Sequence, residues 1–287
     1  MSSIQSIQSR IKTVQSIRKI THAMELVSYS KLKKAKAAFD EVEKYNLLID
    51  QTFNKIFENI SHDDLKELMK SRNNSKSKLY VIVTSNLGLA GAYNANVIKL
   101  VKETVTSDDY LIIIGSYGIR ALRQQYAEQI INLSEITTSK RTSTLVSKII
   151  KRAFKYYRNG TVSSINFIYT KFINNLVQEE VCEKVFPFDE VMIREHIDRK
   201  EIDYKLEFEP SAKDVLADAI PLFVDSKLHL AMATSLISEH SARRGAMENA
   251  TRNSDSLITE LDMEFKRKRQ AKITNEIIEI VSGADAV

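Results

Sequence analysis

Glycine and proline are scarce in this chain and absent from its first 87 residues. After Pro221, only Gly245 and Gly283 interrupt the run to residue 287. These two residue types punctuate local structure, so segments of this length without them predict two very long helices. A helix of about 60 residues, rising about 1.5 Å per residue, is about 90 Å long, whereas a compact domain of this size spans about 50 Å. The helices are therefore expected to protrude. A lone protruding helix would leave its apolar stripe in water, so the two ends are expected to pair as an antiparallel coiled coil, with the middle of the chain as a globular body.

Other absences narrow the function. A single cysteine, Cys182, excludes an internal disulfide and suits a reducing compartment. The start of the chain lacks the continuous apolar segment of a signal peptide, and no apolar run approaches the roughly 20 residues of a bilayer span, which predicts a soluble or peripheral protein. His22, His62, His196, His229 and His240 show neither HxxxH nor HExxH spacing, so no zinc set is expected. There is no GxSxG elbow, and Cys182 lies in a strand-like stretch without an adjacent base. No catalytic residue, cofactor site or metal site is expected within this chain.

What is present divides into three parts: an N-terminal coiled-coil helix at 1–70, a globular α/β domain at 71–210, and a C-terminal coiled-coil helix at 211–287. In the first, Ile4, Ile7, Ile11, Val14 and Ile17 recur at steps of three and four, followed by Ile20, Met24 and Val27. The stripe thins over residues 28–38, which are mostly small, basic or polar, and resumes at Phe39, Val42, Ile49, Phe53, Ile56 and Ile60. The polar run SRNNSKSK at 71–78 marks a linker. Strands are expected at 79–83 and 111–115, helices at 97–105 and 142–157, a strand at 162–172 and its return at 177–186. Strands alternating with helices favour an open, mostly parallel, Rossmann-like sheet. Pro187, Pro210 and Pro221 punctuate the connection to the last helix, whose small residues Ala242, Gly245, Ala246 and Ala250 are expected to let a partner helix approach closely.

The turn SNLGLAGAYNAN carries GxxG at Gly88 and Gly91, and Gly115 and Gly118 repeat it. Neither GxGxxG nor GxxxxGK[ST] occurs, so these glycines are read as tight strand-to-helix turns. The charge is +5 overall, yet residues 1–36 carry eight basic side chains against one acid, Glu25, a net +7. The other 251 residues therefore sum to −2. This basic face could meet nucleic acid phosphates, an acidic protein surrounding the rod, or water alone. Few aromatics accompany it, which disfavours a base-stacking platform.

Several of these segments resemble the gamma subunit of rotary F-type ATP synthases. They are the opening SRIKTVQSIRKITHAMELVSYSKLKKAK (9–36), SNLGLAGAYNANV (85–97), SEHSARRGAMENATRNSDSLITEL (238–261) and the ending ITNEIIEIVSGADAV (273–287). That resemblance implies a central rotor shaft inside a hexamer of alpha and beta subunits, coupling proton-driven rotation to ATP synthesis or hydrolysis, with the chemistry in the hexamer. It implies further partners in an epsilon subunit and a membrane c-ring, no nucleic acid, and a peripheral place on the cytoplasmic face of the cell membrane. By motif position, Met24, Lys31, Lys33 and Lys34 would face acidic loops of the catalytic subunits. Arg269, Gln270 and Thr274 would meet a catch loop, with Arg244 near the same coupling region. Tyr204, Glu207 and Glu209 would form the foot on the rotor ring. Two departures from the family pattern stand out: Asn86 and Ala90 in the first turn, and Arg244–Gly245 where bulkier apolar residues are usual. Two other readings remain: the shaft of a specialised rotary ATPase not coupled to proton flow, and a basic coiled-coil protein that binds nucleic acid.

Overall fold

The computed structural model describes residues 3–60, 64, 67–68, 75–134, 142–188 and 207–284. Two helices dominate: α1 (Ile4–Glu58) and α5 (Ala212–Ala284). Between them lie β1 (Lys78–Val83), α2 (Tyr93–Thr104), β2 (Tyr110–Ile114), α3 (Ser116–Leu122), β3 (Ile130–Ser134), α4 (Thr142–Arg158), β4 (Ser164–Phe172) and β5 (Gln178–Phe186). The fold is mixed α/β, with a five-stranded sheet in the order β3-β2-β1-β4-β5. Four strands are parallel, and β5 returns antiparallel to β4 from Phe172↔Gln178 to Ile165↔Phe186.

The chain forms two compact units, residues 31–242 and residues 1–30 with 243–287. In the first, alternate strand residues face opposite sides, as period two requires. Val81, Val83, Ile112, Ile114 and Phe167 join α4, the end of α1 and the start of α5 in one large core. Tyr80, Ile82, Leu111 and Ile113 pack under α2 and α3 in a smaller one. An aromatic knot of Phe53, Phe57, Phe188 and Phe223 lies in the larger core, with ring centroids 4.4 to 5.5 Å apart. In this unit the long helices run antiparallel, with Asn46 beside Ser226 and Leu32 beside Ile237.

In the other unit they also run antiparallel. Arg18 pairs with Asp255, Thr251 Oγ1 donates to Thr21 Oγ1 at 2.9 Å, and Arg244 lies over Tyr29. Its apolar core holds four buried residues, Ile7, Ile11, Val14 and Leu261, flanked by Leu257, Ile258 and Phe265. By this register Ile4 lies opposite the turn around Lys268, so α5 continues about four turns beyond the start of α1. Ile273, Ile277 and Ile280 are therefore bare, with Ile280 71% exposed.

Several expectations need correction. Pro221 does not mark the entry to α5, which begins at Ala212, beside the expected 211. The helix starts where Ser211 Oγ accepts the Asp214 N–H at 3.1 Å and passes through the proline. The lost hydrogen bond is tolerated because Leu216, Ile220, Phe223 and Val224, on either side of it, are all buried. α2 starts four residues before Val97, and β3 is an edge strand that went unanticipated. A Cβ at Gly245 would meet nothing within 4 Å beyond its own helix backbone, so among the described residues no partner helix approaches it closely. One 18-residue window of α5 has mean hydropathy 1.2, enough by length and composition for a bilayer span, contrary to expectation; 56% of it is buried within the chain.

Candidate functional site

The two GxxG turns lie at the carboxyl ends of β1 and β2, where open α/β sheets bind ligands. At the second turn the amides that would cradle a phosphate are already engaged. Ser116 N donates to Asn86 Oδ1 at 3.1 Å, Tyr117 N to Ser85 O at 3.0 Å, and Gly118 N to Thr84 Oγ1 at 3.0 Å. Asn94 and Ser85 bond each other across the first turn. Gly115, at φ 104°, and Gly118 permit this closeness, since a Cβ would fall 2.2 Å from Thr84 O and 2.6 Å from Thr84 Oγ1 respectively. The topological switch point lies between β1 and β4, because β1 connects to β2 on one side and β4 flanks it on the other. Beside it, hydroxyls of α5 bond the end of β4, with Phe172 N donating to Thr234 Oγ1 at 3.0 Å. A hollow of about 680 Å³ opens at the opposite, amino ends of the strands. Both oxygens of its Asp109 are bonded to Lys78 and Thr106.

The expected contact residues lie on the long helices. Lys31, Lys33 and Lys34 are exposed, and none has an ion-pair partner among the described residues. Between them Leu32 and Ala35 are buried against Ile237, so the lysines project from a thin seam. Met24 is half-buried, and its carbonyl accepts Ser28 Oγ at 2.7 Å. Arg244 is half-buried, with its guanidinium 5.0 Å from the centre of the Tyr29 ring, a cation–π contact. Arg269, Gln270 and Thr274 are exposed on the stretch of α5 beyond the pairing, where Thr274 Oγ1 donates to Gln270 O at 3.0 Å. Arg244 lies 25 residues before Arg269 on one helix, about 38 Å along its axis, so the two do not share a site. Of the foot residues, Glu207 and Glu209 are exposed around Phe208, which packs on the large core. Tyr204 lies outside the described residues.

The basic character is not confined to residues 1–36. α4 carries Lys148, Lys151, Arg152, Lys155 and Arg158 with no acid, and all five are exposed. They lie opposite Val146, Ile149, Ile150, Ala153 and Phe154, which are buried in the large core. Acids elsewhere mask this helix in any sum over the remaining 251 residues. Its helical spacing was the available signal.

A sequence model described as ATP synthase matches residues 3–287. An ATP synthase gamma chain of Mycoplasmopsis agalactiae is 97% identical, with all of both chains covered. One from Mycoplasmopsis synoviae is 37% identical over all of this chain and 99% of its own. The fold is shared with the central stalk and c-ring structure of Tetrahymena thermophila mitochondrial ATP synthase, at a TM-score of 0.62 and 22% identity over 80% of this chain and 99% of that one. It is also shared with the Euglena gracilis mitochondrial ATP synthase assembly of OSCP, F1 and c-ring, at 0.66 and 16% identity over 99% of this chain and 94% of that one. With matches that run from end to end over both long helices and the sheet between them, the chain belongs to the ATP synthase gamma chain family.

Proposed function

We propose that this chain is the central rotor shaft of an F-type ATP synthase, that its alpha and beta partners carry out the nucleotide chemistry, and that it supplies no catalytic residue of its own. An epsilon subunit and a membrane c-ring complete its partners, on the cytoplasmic face of the cell membrane. The observation that carries the reading is the cationic surface at Lys31, Lys33 and Lys34, exposed and without an ion-pair partner among the described residues, on one member of an antiparallel helix pair. The division at residues 70 and 210 into two arms and a body belongs to the same reading.

An asymmetric shaft in a ring of three equivalent catalytic sites makes a different contact with each. Each contact biases the affinity of one site, and by linkage nucleotide binding biases the shaft angle in return. Exposed charge contacts are worth about 0 to 1 kcal/mol each, so they vary gently with angle, where apolar interlocking would trap one orientation. Met24 and Arg244 would meet the catalytic subunits within the helix pair. Arg269, Gln270 and Thr274 would meet a catch loop, beside the bare face of Ile273, Ile277 and Ile280. Glu207 and Glu209, with Tyr204, would rest on the ring.

The test is the Lys31→Gln/Lys33→Gln/Lys34→Gln variant in the assembled complex, with Lys148→Gln/Lys151→Gln/Arg152→Gln on α4 as its control. The first is expected to lower ion pumping per ATP hydrolysed while any single substitution changes little, and the second to leave coupling intact. Equal coupling in both triple variants would overturn the role of these lysines. Native mass spectrometry of the complex tests the partners: one copy of this chain with a nucleotide-bearing hexamer and a membrane ring is expected.

A further inference from the structure

We infer that residues 234–241 of α5 and the β4–β5 hairpin form a torsion clamp, which holds the lysine-bearing segment of α1 at one angle to the sheet so that the two turn as a single piece. The inference rests on the shaft reading above and adds to it which residues transmit the twist.

β4 outruns its neighbour. The last β1–β4 pair is Ile82↔Ile168, so Thr170 and Phe172 lie two and four residues past any strand on that side. A buried backbone amide left without an acceptor costs about 1 to 3 kcal/mol, so these groups need partners. α5 supplies them from its side. Thr170 N donates to Ser235 Oγ at 3.2 Å and Phe172 N to Thr234 Oγ1 at 3.0 Å. Thr170 O accepts from Ser235 Oγ at 3.3 Å and from Ser238 Oγ at 3.4 Å. All three hydroxyl residues are buried, Ser238 completely. Serine and threonine within a helix commonly turn back to the carbonyl four residues earlier. Ser238 does this too, to Thr234 O at 3.0 Å, while Thr234 and Ser235 stand in for the missing end of a strand.

The hairpin beyond β4 holds both helices. Ser241 Oγ on α5 donates to Asn175 O at 3.0 Å, and Lys36 Nζ on α1 donates to Asn175 Oδ1 at 3.1 Å. Lys36 also lies 4.9 Å from the centre of the Phe172 ring, and Phe172 packs on Leu32, Ala35 and Ile237. Lys31, Lys33 and Lys34 occupy the same turns of α1 as Leu32, Ala35 and Lys36. Their direction relative to the sheet is fixed at this junction.

Hydrogen bonds of set length suit this task better than apolar packing does. The large core reaches along α5 only to Met232, and beyond it the apolar contact shrinks to Leu32, Ala35 and Ile237 with Phe39 and Phe172. Small apolar contacts can slide and repack, whereas bonds to two alternate amides of one strand specify both axial position and angle.

The experiment uses the assembled complex in sealed vesicles, measuring ATP hydrolysis and ATP-driven ion pumping together. Thr234→Val with Ser235→Ala and Ser238→Ala is expected to retain hydrolysis and lose pumping per ATP on the order of fivefold, the equilibrium counterpart of about one net hydrogen bond. A second pair of variants keeps the test open if the triple one does not assemble. Thr234→Val keeps the shape and removes the hydroxyl, while Thr234→Ser keeps the hydroxyl and removes the methyl. The clamp requires that the serine variant couple like the parent and the valine variant couple less well. The reverse order, or parental coupling in the valine variant and in any triple variant that assembles, overturns the clamp. Failure of the parental chain itself to support pumping would instead overturn the shaft reading.

Discussion

The same two helices pair in both units of the molecule, but with different chemistry. In the unit of residues 31–242 they bear on a sheet, and 27 buried side chains merge into one core. In the unit of residues 1–30 and 243–287 the described buried apolar residues number five, Ile7, Ile11, Val14, Met247 and Leu261, and much of the seam is hydroxyl: Thr21 is half-buried and Ser28, Thr251 and Ser254 are buried. Burying a large aliphatic or aromatic side chain contributes about 1.5 to 3 kcal/mol, whereas an ordinary hydrogen bond contributes about 1. One unit is therefore built for stability, and the other holds its register with little apolar commitment.

The sharpest way to break this contrast is to remove one large side chain from each. Phe53 touches three other rings, at 4.4 to 5.3 Å between centroids. Phe53→Ala is expected to cost about 3 to 5 kcal/mol and to lower the main thermal transition. Leu261→Ala is expected to cost about 2 kcal/mol, at the low end for its type because its small cluster can collapse. That loss should appear as faster proteolysis within residues 243–284, with the main transition nearly unmoved. Equal shifts of one shared transition would mean that the two units do not differ in the way argued.

How much of this was legible in the sequence follows from the same contrast. The long helices were legible because they depend on what is missing, and 55 and 73 residues of helix occupy the stretches poor in Gly and Pro. The strands 79–83 and 111–115 were legible because buried parallel strands are continuous apolar runs. β3 was not, because IINLS is an edge strand with Asn132 and Ser134 among its five residues, and its burial is only partial. The interdigitation of α5 with β4 was readable in principle from Thr234, Ser235, Ser238 and Ser241, hydroxyls at helical spacing where an apolar stripe should run. The backbone groups they answer depend on where β1 stops, which no local pattern states.

A smaller effect tests how the body tolerates a half-buried titratable pair. Burial holds His229 below its ordinary pKa, and nearby Asp225 opposes this without overcoming it. The folded protein thus resists a proton that the unfolded chain accepts at the ordinary imidazole pKa. Stability should fall as pH drops through that value, and His229→Gln should remove the fall. Asp225 has the opposite sign. Burial raises its pKa against the lowering effects of His229 and of Ser147 on α4, so protonation in acid favours the folded state. Melting temperatures of parent and variant between about pH 8 and about pH 5 should converge at the alkaline end and separate below it, with the variant higher.

The smallest expected effect concerns Gly245, in the unit with the sparse core. It lies well inside α5, has no positive φ, and an added methyl would meet no atom within 4 Å. Glycine in a helix interior is less favourable than alanine by about 1 kcal/mol, mainly through the freedom it retains when unfolded. Gly245→Ala should therefore stabilise the helix pair by up to about 1 kcal/mol, read as slower proteolysis or amide exchange around residues 243–250. If the glycine instead serves rotation by softening α5 next to Arg244, the same variant should also alter turnover under load. Stabilisation with unchanged turnover would leave Gly245 as a residue that the thinly packed unit simply tolerates. Stabilisation with slowed turnover would make local compliance part of how this unit works.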